Sequence, residues 1–193
     1  LSAETRSGPC RAALEMAEAV AEFNRSPDGP KLPVRIGLHS GHVSIGTVGA
    51  IDHYEYRAVG DCVNTSSRIE GLNKYLGTEI LASQEAIEGI DGFLTREVGE
   101  FLLAGKAKSL VLHQLLCRRE NSTPDRELLC STFSQGLAAY REGAVEPAMG
   151  RFERCLEILE NDGPSLFYLR LCREFFETPP EETWTGVVVL GKK

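Results

Sequence analysis

In the stretch AVGDCVNTSSRIEGLN, residues 58 to 73, an amide and a guanidinium stand four residues apart, at Asn64 and Arg68. On a helix that spacing sets one above the other on a single face. Asn offers both a donor and an acceptor, and Arg offers a fixed fork of donors that fits phosphate oxygens. Ser67 and Gly71 flank the pair and leave room for a bulky ligand or a second protein surface. A solvated polar face is the plain alternative for such residues. Asp61 opens the same segment, where a carboxylate suits a helix N-terminus as a cap.

The helix that must carry this face runs from about 61 to 76, with Cys62, Thr65, Ile69, Leu72 and Leu76 as its apolar stripe. Upstream, CRAALEMAEAVAEFN (10–24) is a strong helix former, with Ala13, Met16, Ala17, Val20 and Phe23 on its apolar side. VRIGLHSG (34–41) and HVSIGTVG (42–49) read as two strands meeting at a Gly-containing turn, and DHYEYRA (52–58) as extended chain. TEILAS (78–83) is a short strand, and Ser83 is placed to cap a short helix after it. FLTREVGEFLL and SLVLHQLLC, joined through AGKAK, form a hairpin that ends near Cys117. Strands and helices mixed in this way predict an α+β sheet domain over 1–117.

A polar linker, 118–126, leads into helical periodicity over 127–178, and a tail covers 179–193. Leu128, Leu129, Phe133, Leu137 and Tyr140 mark one helix. Ala148, Phe152, Cys155, Leu156 and Leu159 mark the next, and Leu166, Leu169, Phe175 and Phe176 a third. The pattern resembles a tetratricopeptide helix pair. One pair cannot bury its own apolar face, so it is expected to dock through Phe133, Tyr140 and Phe152. The tail TWTGVVVLGKK reads as a short strand or extended arm.

Composition narrows the function. Hydrophobic residues make up 42% of the chain, enough for a real core. A net charge of −7 argues against a nucleic-acid binder. The six cysteines form no CxxC pair, so reduced thiols are expected in place of a disulfide framework or zinc site. His39 and His42 stand three apart across a strand turn, so their side chains need not converge and a third ligand is missing, and no apolar run approaches the roughly 20 residues needed to span a bilayer.

The segment VRIGLHSGHVSIGTVGAIDHYEYRAVGDCVNTSSRIEGLNKYLGTEILAS resembles the C-terminal half of a class III nucleotidyl cyclase catalytic domain. The Gly-Asp-x-Val-Asn-x-x-x-Arg core carries the likeness, because strands, hairpin glycines and helix follow in that family's order. The resemblance covers roughly 10–117 and implies a ferredoxin-like sheet lacking its N-terminal strands. The helical extension resembles that of bacterial adenylate cyclases with a CHASE-type sensor and transmembrane helices. It implies conversion of ATP to cyclic AMP and pyrophosphate in a head-to-tail homodimer, with Mg2+ or Mn2+ held by aspartates upstream of this segment. It also implies a cytoplasmic domain anchored to the membrane only through upstream parts.

By resemblance Asn64 orients the ribose and Arg68 stabilises charge on the α-phosphoryl group. Arg57 falls where many such enzymes carry an Asp or Thr that accepts from the adenine amino group. Ala104 stands where a phosphate-binding lysine is common, so Lys106 or Lys108 is the substitute expected. The departures at Arg57 and Ala104 keep a second reading open, a non-catalytic cyclase-fold signalling module that binds nucleotide or a protein partner.

Overall fold

The computed structural model describes residues 3–27, 29–50, 53–178 and 184–189. Positions 179–183 and 190–193 of the expected tail lie outside the described residues. A long helix α1 (Ala3–Phe23) leads to β1 (Ile36–Leu38), and a hairpin of β2 (Ser44–Ala50) and β3 (His53–Val59) follows. Next come α2 (Asp61–Leu76), β4 (Ile80–Ser83), the one-turn α3 (Gln84–Ile87), and the long pair β5 (Phe93–Leu102) and β6 (Leu110–Arg118). Three helices complete the chain, α4 (Pro124–Arg141), α5 (Val145–Ile158) and α6 (Gly163–Glu177), before a two-residue strand, β7 (Val188–Val189).

The architecture is α+β, around a five-stranded sheet of order β1-β4-β6-β5-β7. All four residues of the inner strand β4 are buried, and successive side chains go to opposite faces. Ile80 and Ala82 join Cys10, Ala13, Leu14 and Ala17 of α1 and Ala86 and Ile87 of α3 in one core. Leu81 faces the other way, into a larger core with α2 and the three C-terminal helices. The apolar side of α1 therefore differs from the expected one: Met16 and Phe23 are half exposed, while Cys10 and Leu14 are buried.

The expected pairing of β1 with the next strand is not found. Ile36 pairs with Ile80 and Leu38 with Ala82, in parallel, while β2 pairs with β3 in a separate two-stranded sheet. A parallel partner so far along the chain leaves no turn signal nearby, so local sequence favours the wrong neighbour. Side chains of α2 secure β1 in its place. Asn73 Nδ2 donates to the Ile36 carbonyl at 3.0 Å, and Arg35 meets Glu70 at 3.0 Å. Ser83 stands at the N-cap of α3, but its hydroxyl makes no capping bond and instead meets His39 Nδ1 at 2.8 Å.

The C-terminal helices are built onto the sheet. Phe133, Tyr140 and Phe152 are all buried, in one cluster with Val98, Phe101 and Leu112 of β5 and β6. The third helix buries Phe167, Tyr168, Leu169 and Cys172, whereas the expected Leu166 and Phe176 stay about half exposed. Tyr168 donates to the Val98 carbonyl at 2.8 Å, beside an irregularity in the β5–β6 ladder. Burial drives its phenol well above the ordinary value.

The most demanding tie is ionic. Arg96 on β5 and Asp162, the N-cap of α6, meet through two bonds of 3.0 and 2.8 Å, with both side chains only 2% exposed. Gln114 accepts from the same guanidinium, and the Phe133 ring lies 4.7 Å beneath it. Such a pair repays its desolvation only when further donors are also satisfied, and Gln114 takes up the Arg96 Nε and Nη2 donors here. At the start of α6, Gly163 touches the end of α2: a Cβ there would lie 2.2 Å from the Leu76 carbonyl oxygen. Only glycine permits that approach.

Candidate functional site

The helix α2 folds as its sequence dictates. Thr65, Ile69, Leu72 and Leu76 are buried along one stripe, and Gly77 ends the helix in the left-handed conformation. Cys62, expected in that stripe, is only half-buried. Asn64 and Arg68 lie on the outward side and are exposed, as is Ser67. The side chain of Asn64 makes no hydrogen bond among the described residues, so both its donor and its acceptor are open.

Arg68 is not a loose surface side chain. Its guanidinium lies over the turn that joins β5 to β6: a Cβ on Gly105 would sit 3.4 Å from Nη2. Gly105 has a φ of 69°, so a side chain there would be strained, although its Cβ would make only ordinary contact with the guanidinium. The turn is closed by the Lys106 amide, which donates to the Leu103 carbonyl at 3.0 Å. The backbone conformation of the turn, more than the nearness of Arg68, therefore calls for glycine at 105.

The Lys106 side chain reaches back to α2. Its ammonium lies 2.5 Å from both carboxylate oxygens of Asp61, with the lysine side chain 15% exposed and the aspartate 83% exposed. Asp61 is therefore not the side-chain cap expected of it. It is the first residue of the helix, and no side chain caps α2. The bonded ammonium holds the Asp61 carboxyl below its ordinary range, helped by the charges of Arg68 and His39. Burial lowers the pKa of His39, and nearby Lys106 adds to that effect against the pull of Glu85.

The fold thus brings Arg68, Lys106 and Asp61 together at the mouth of α2, with Asn64 one turn before Arg68. Arg57 is held elsewhere. It lies on β3, opposite Gly46, and its guanidinium is paired with Glu55 on the same exposed face of the hairpin. That ion pair follows from strand alternation, since residues two apart share a face. Lys108 is exposed and takes no part in the cluster. Sequence reasoning missed the Asp61–Lys106 pair, and no local pattern announces a contact between a helix start and a hairpin turn so far apart in the chain.

The cluster can bind an anion better than a cation. Two cations stand against one carboxylate already occupied by an ammonium. Among the described residues no three His, Cys, Asp or Glu side chains gather as a metal centre. The residues present do not by themselves fit Mg2+ or Mn2+. Among the described residues, too, no helix is long and apolar enough to cross a membrane.

Comparison with known proteins gives this arrangement a setting. The family described as the adenylate and guanylate cyclase catalytic domain matches residues 6–116. The chain belongs to that family. This cyclase domain is 30% identical over 148 residues to the "Adenylate cyclase, terminal-differentiation specific" of Dictyostelium discoideum, covering 74% of this chain and 7% of that protein. It is 34% identical over 111 residues to "Adenylate cyclase 1" of Rhizobium meliloti, covering 55% of this chain and 17% of the relative. The chain therefore spans a small part of the relatives it matches. The crystal structure of the adenylyl cyclase CyaB from P. aeruginosa overlaps 56% of each chain, with a TM-score of 0.44 and 22% identity.

Proposed function

We propose that this cyclase domain supplies one half of a shared active site that converts ATP to 3′,5′-cyclic AMP and pyrophosphate in signal transduction. One observation carries the reading: the Arg68 fork, seated on the Gly105 turn beside Lys106, lies on one open face with the unpartnered amide of Asn64. In the reaction the ribose 3′-oxygen loses its proton and bonds to the α-phosphorus as the bond to the pyrophosphate oxygen breaks. Negative charge spreads over the phosphoryl oxygens, and positioned cations supply most of the stabilisation such a step needs. On this reading Arg68 meets that charge, Asn64 orients the ribose, and Lys106 moves from Asp61 to the polyphosphate.

The rest of the site belongs to a second protomer arranged head to tail. The metal donors, aspartates in the family pattern, come from segments outside these residues. The β2–β3 hairpin supports a partner there, since its register sets Ile45, Tyr54 and Tyr56 together on one face, each more than half exposed, with Val48 and Val59 on the opposite face beside Glu55 and Arg57. Isolated apolar residues on a surface are ordinary, but a contiguous patch of this kind marks an interaction site. A cytoplasmic placement, membrane anchoring through upstream segments and a tetratricopeptide-like role for α4 and α5 complete the proposal. A second reading, a non-catalytic module that binds nucleotide or a protein partner, is favoured by the Lys106 ammonium being fully engaged by Asp61.

Complementation separates the two readings. Residues 1–193 alone should make no cyclic AMP. Mixed with a long protomer that keeps its aspartates but has its helix Asn and Arg replaced, they should restore activity that rises with added chain and saturates. The same chain carrying Arg68→Ala should restore none. A folded chain that binds the long protomer without restoring activity leaves the non-catalytic reading standing.

Base selection has its own test. Arg57 cannot accept a hydrogen bond, and Glu55 holds it on the hairpin. Arg57→Thr or Arg57→Asp should shift the ATP-to-GTP ratio of kcat/KM by about tenfold or more, since hydrogen-bonding sites discriminate by up to about 10⁴–10⁵. An unaltered ratio would show that the base is read by backbone groups or by the other protomer.

A further inference from the structure

Beyond α6 the chain returns to the sheet. Trp184 donates from Nε1 to the Tyr140 carbonyl at 2.7 Å, and its ring meets Tyr140 and Phe175 edge-on at centroid distances of 4.9 and 5.0 Å. Four residues later Val188 is 4% exposed within the main core, and β7 lies parallel to the end of β5, with Phe101 opposite Val188 and Leu102 opposite Val189. Two residues of parallel pairing hold little by themselves. The aromatic seat of Trp184 on the C-terminal helices supplies the anchor.

The place where this strap lands matters. Strand β5 ends at Leu102, and the next residues form the turn that carries Gly105 under Arg68 and Lys106 onto Asp61. A cavity of about 610 Å³ between strap and turn is lined by Leu102, Lys108, Ser109, Thr185, Val187 and Val189. Without the strap, the outer side of the end of β5 is an open edge with unpaired backbone groups, and the turn is steadied by β6 and by its contacts with Asp61 and Arg68 of α2. With it, the exit of β5 is held from both sides.

We propose that the Trp184–Val189 strap positions the Leu103–Ser109 turn, with Trp184 as the positioning residue that ties the turn to the C-terminal helices. Its effect on turnover rests on the cyclase reading above; its effect on the turn does not. Misplacing a phosphate-facing cation by about 1 Å can cost on the order of a hundredfold in rate. Covering a sheet edge is the plainer role, and it predicts no selective effect on the turn.

Hydrogen exchange on the whole chain distinguishes these roles. Trp184→Ala should speed exchange of the strap amides and of the Lys106 amide, on the order of tenfold or more, through local opening. Leu129→Ala, at a buried position of the helices away from the strap, should lower the melting temperature without loosening the turn. Val188→Ala thins the buried contact while leaving the Trp184 seat intact, and it should loosen the same amides if Trp184→Ala does not fold. In the complementation assay Trp184→Ala should lower kcat by roughly tenfold to a hundredfold with KM for ATP nearly unchanged. Trp184→Phe, which keeps the ring contacts, should recover most of it.

Unaltered turn exchange with a freed strap overturns the proposal, as does equal loosening by Leu129→Ala. A strap that stays protected in Trp184→Ala overturns the anchor. A loosened turn with unchanged kcat overturns the link to turnover. A loosened turn in a chain whose unmodified form restores no cyclase activity supports the strap and sinks the cyclase reading.

Discussion

Arg68→Ala should lower kcat of the assembled site by about a hundred- to a thousandfold while KM for ATP changes little. The loss corresponds to about 2.7–4 kcal/mol, by analogy with removal of one preorganised donor from an oxyanion site. An interaction that strengthens only as charge develops appears in kcat and not in ground-state binding. The structure adds a reason for the size. The Arg68 guanidinium already lies over the Gly105 turn, beside Lys106, and has no side-chain hydrogen bond among the described residues to give up when substrate arrives. Arg68→Lys keeps the charge but not the fork and should recover only a small part. Steady-state rates of the mixed dimer, with circular dichroism to verify folding, provide the measurement. Full turnover in a folded Arg68→Ala chain would remove Arg68 from the reaction.

Asp162→Ala should cost the fold roughly 3–5 kcal/mol, the penalty for leaving one partner of a buried pair uncompensated. Arg96, 2% exposed in the intact chain, would keep Gln114 as its polar partner, and α6 would lose a cap that accepts from the Ser165 amide at 3.1 Å. For a chain of this size that amounts to a fall in melting temperature on the order of 10 °C. Replacing both partners, as in Arg96→Met with Asp162→Leu, should restore much of the loss, because no unpaired charge then remains inside. A melting curve for Asp162→Ala that overlays the unmodified chain would show that the pair contributes nothing net.

Periodicity made α2 legible from end to end, and the alternation of β5 and β6 disclosed their hairpin. Both signals are local, and both are set by one buried face. What escaped depends on partners far apart in the chain. Met16 and Phe23 fit a helical stripe as well as Cys10 and Leu14 do, and only the position of the sheet decides which side is covered. The parallel pairing of Ile36 with Ile80, the meeting of Arg96 with Asp162 and the Asp61–Lys106 contact have no sequence-local trace. At the candidate site, the spacing of Asn64 and Arg68 was visible because one helix carries both. The seat of Arg68 on Gly105 was not, since it is built from two elements.

The contact between Gly163 and Leu76 makes α2 a lever with a fixed fulcrum. Its C-terminal end is pressed against α6, backbone to backbone, with no side chain between them to absorb a shift. Arg68 stands nine residues from Gly77, an arm of about 13 Å at 1.5 Å per residue. A tilt of about 5° at the fulcrum therefore carries the guanidinium by about 1 Å, a displacement large enough to change a rate by on the order of a hundredfold. The ties that resist such a tilt are those of Asn73 to β1, of Glu70 to Arg35 and of Asp61 to Lys106, which brace α2 between the fulcrum and the end where Asn64 and Arg68 are mounted.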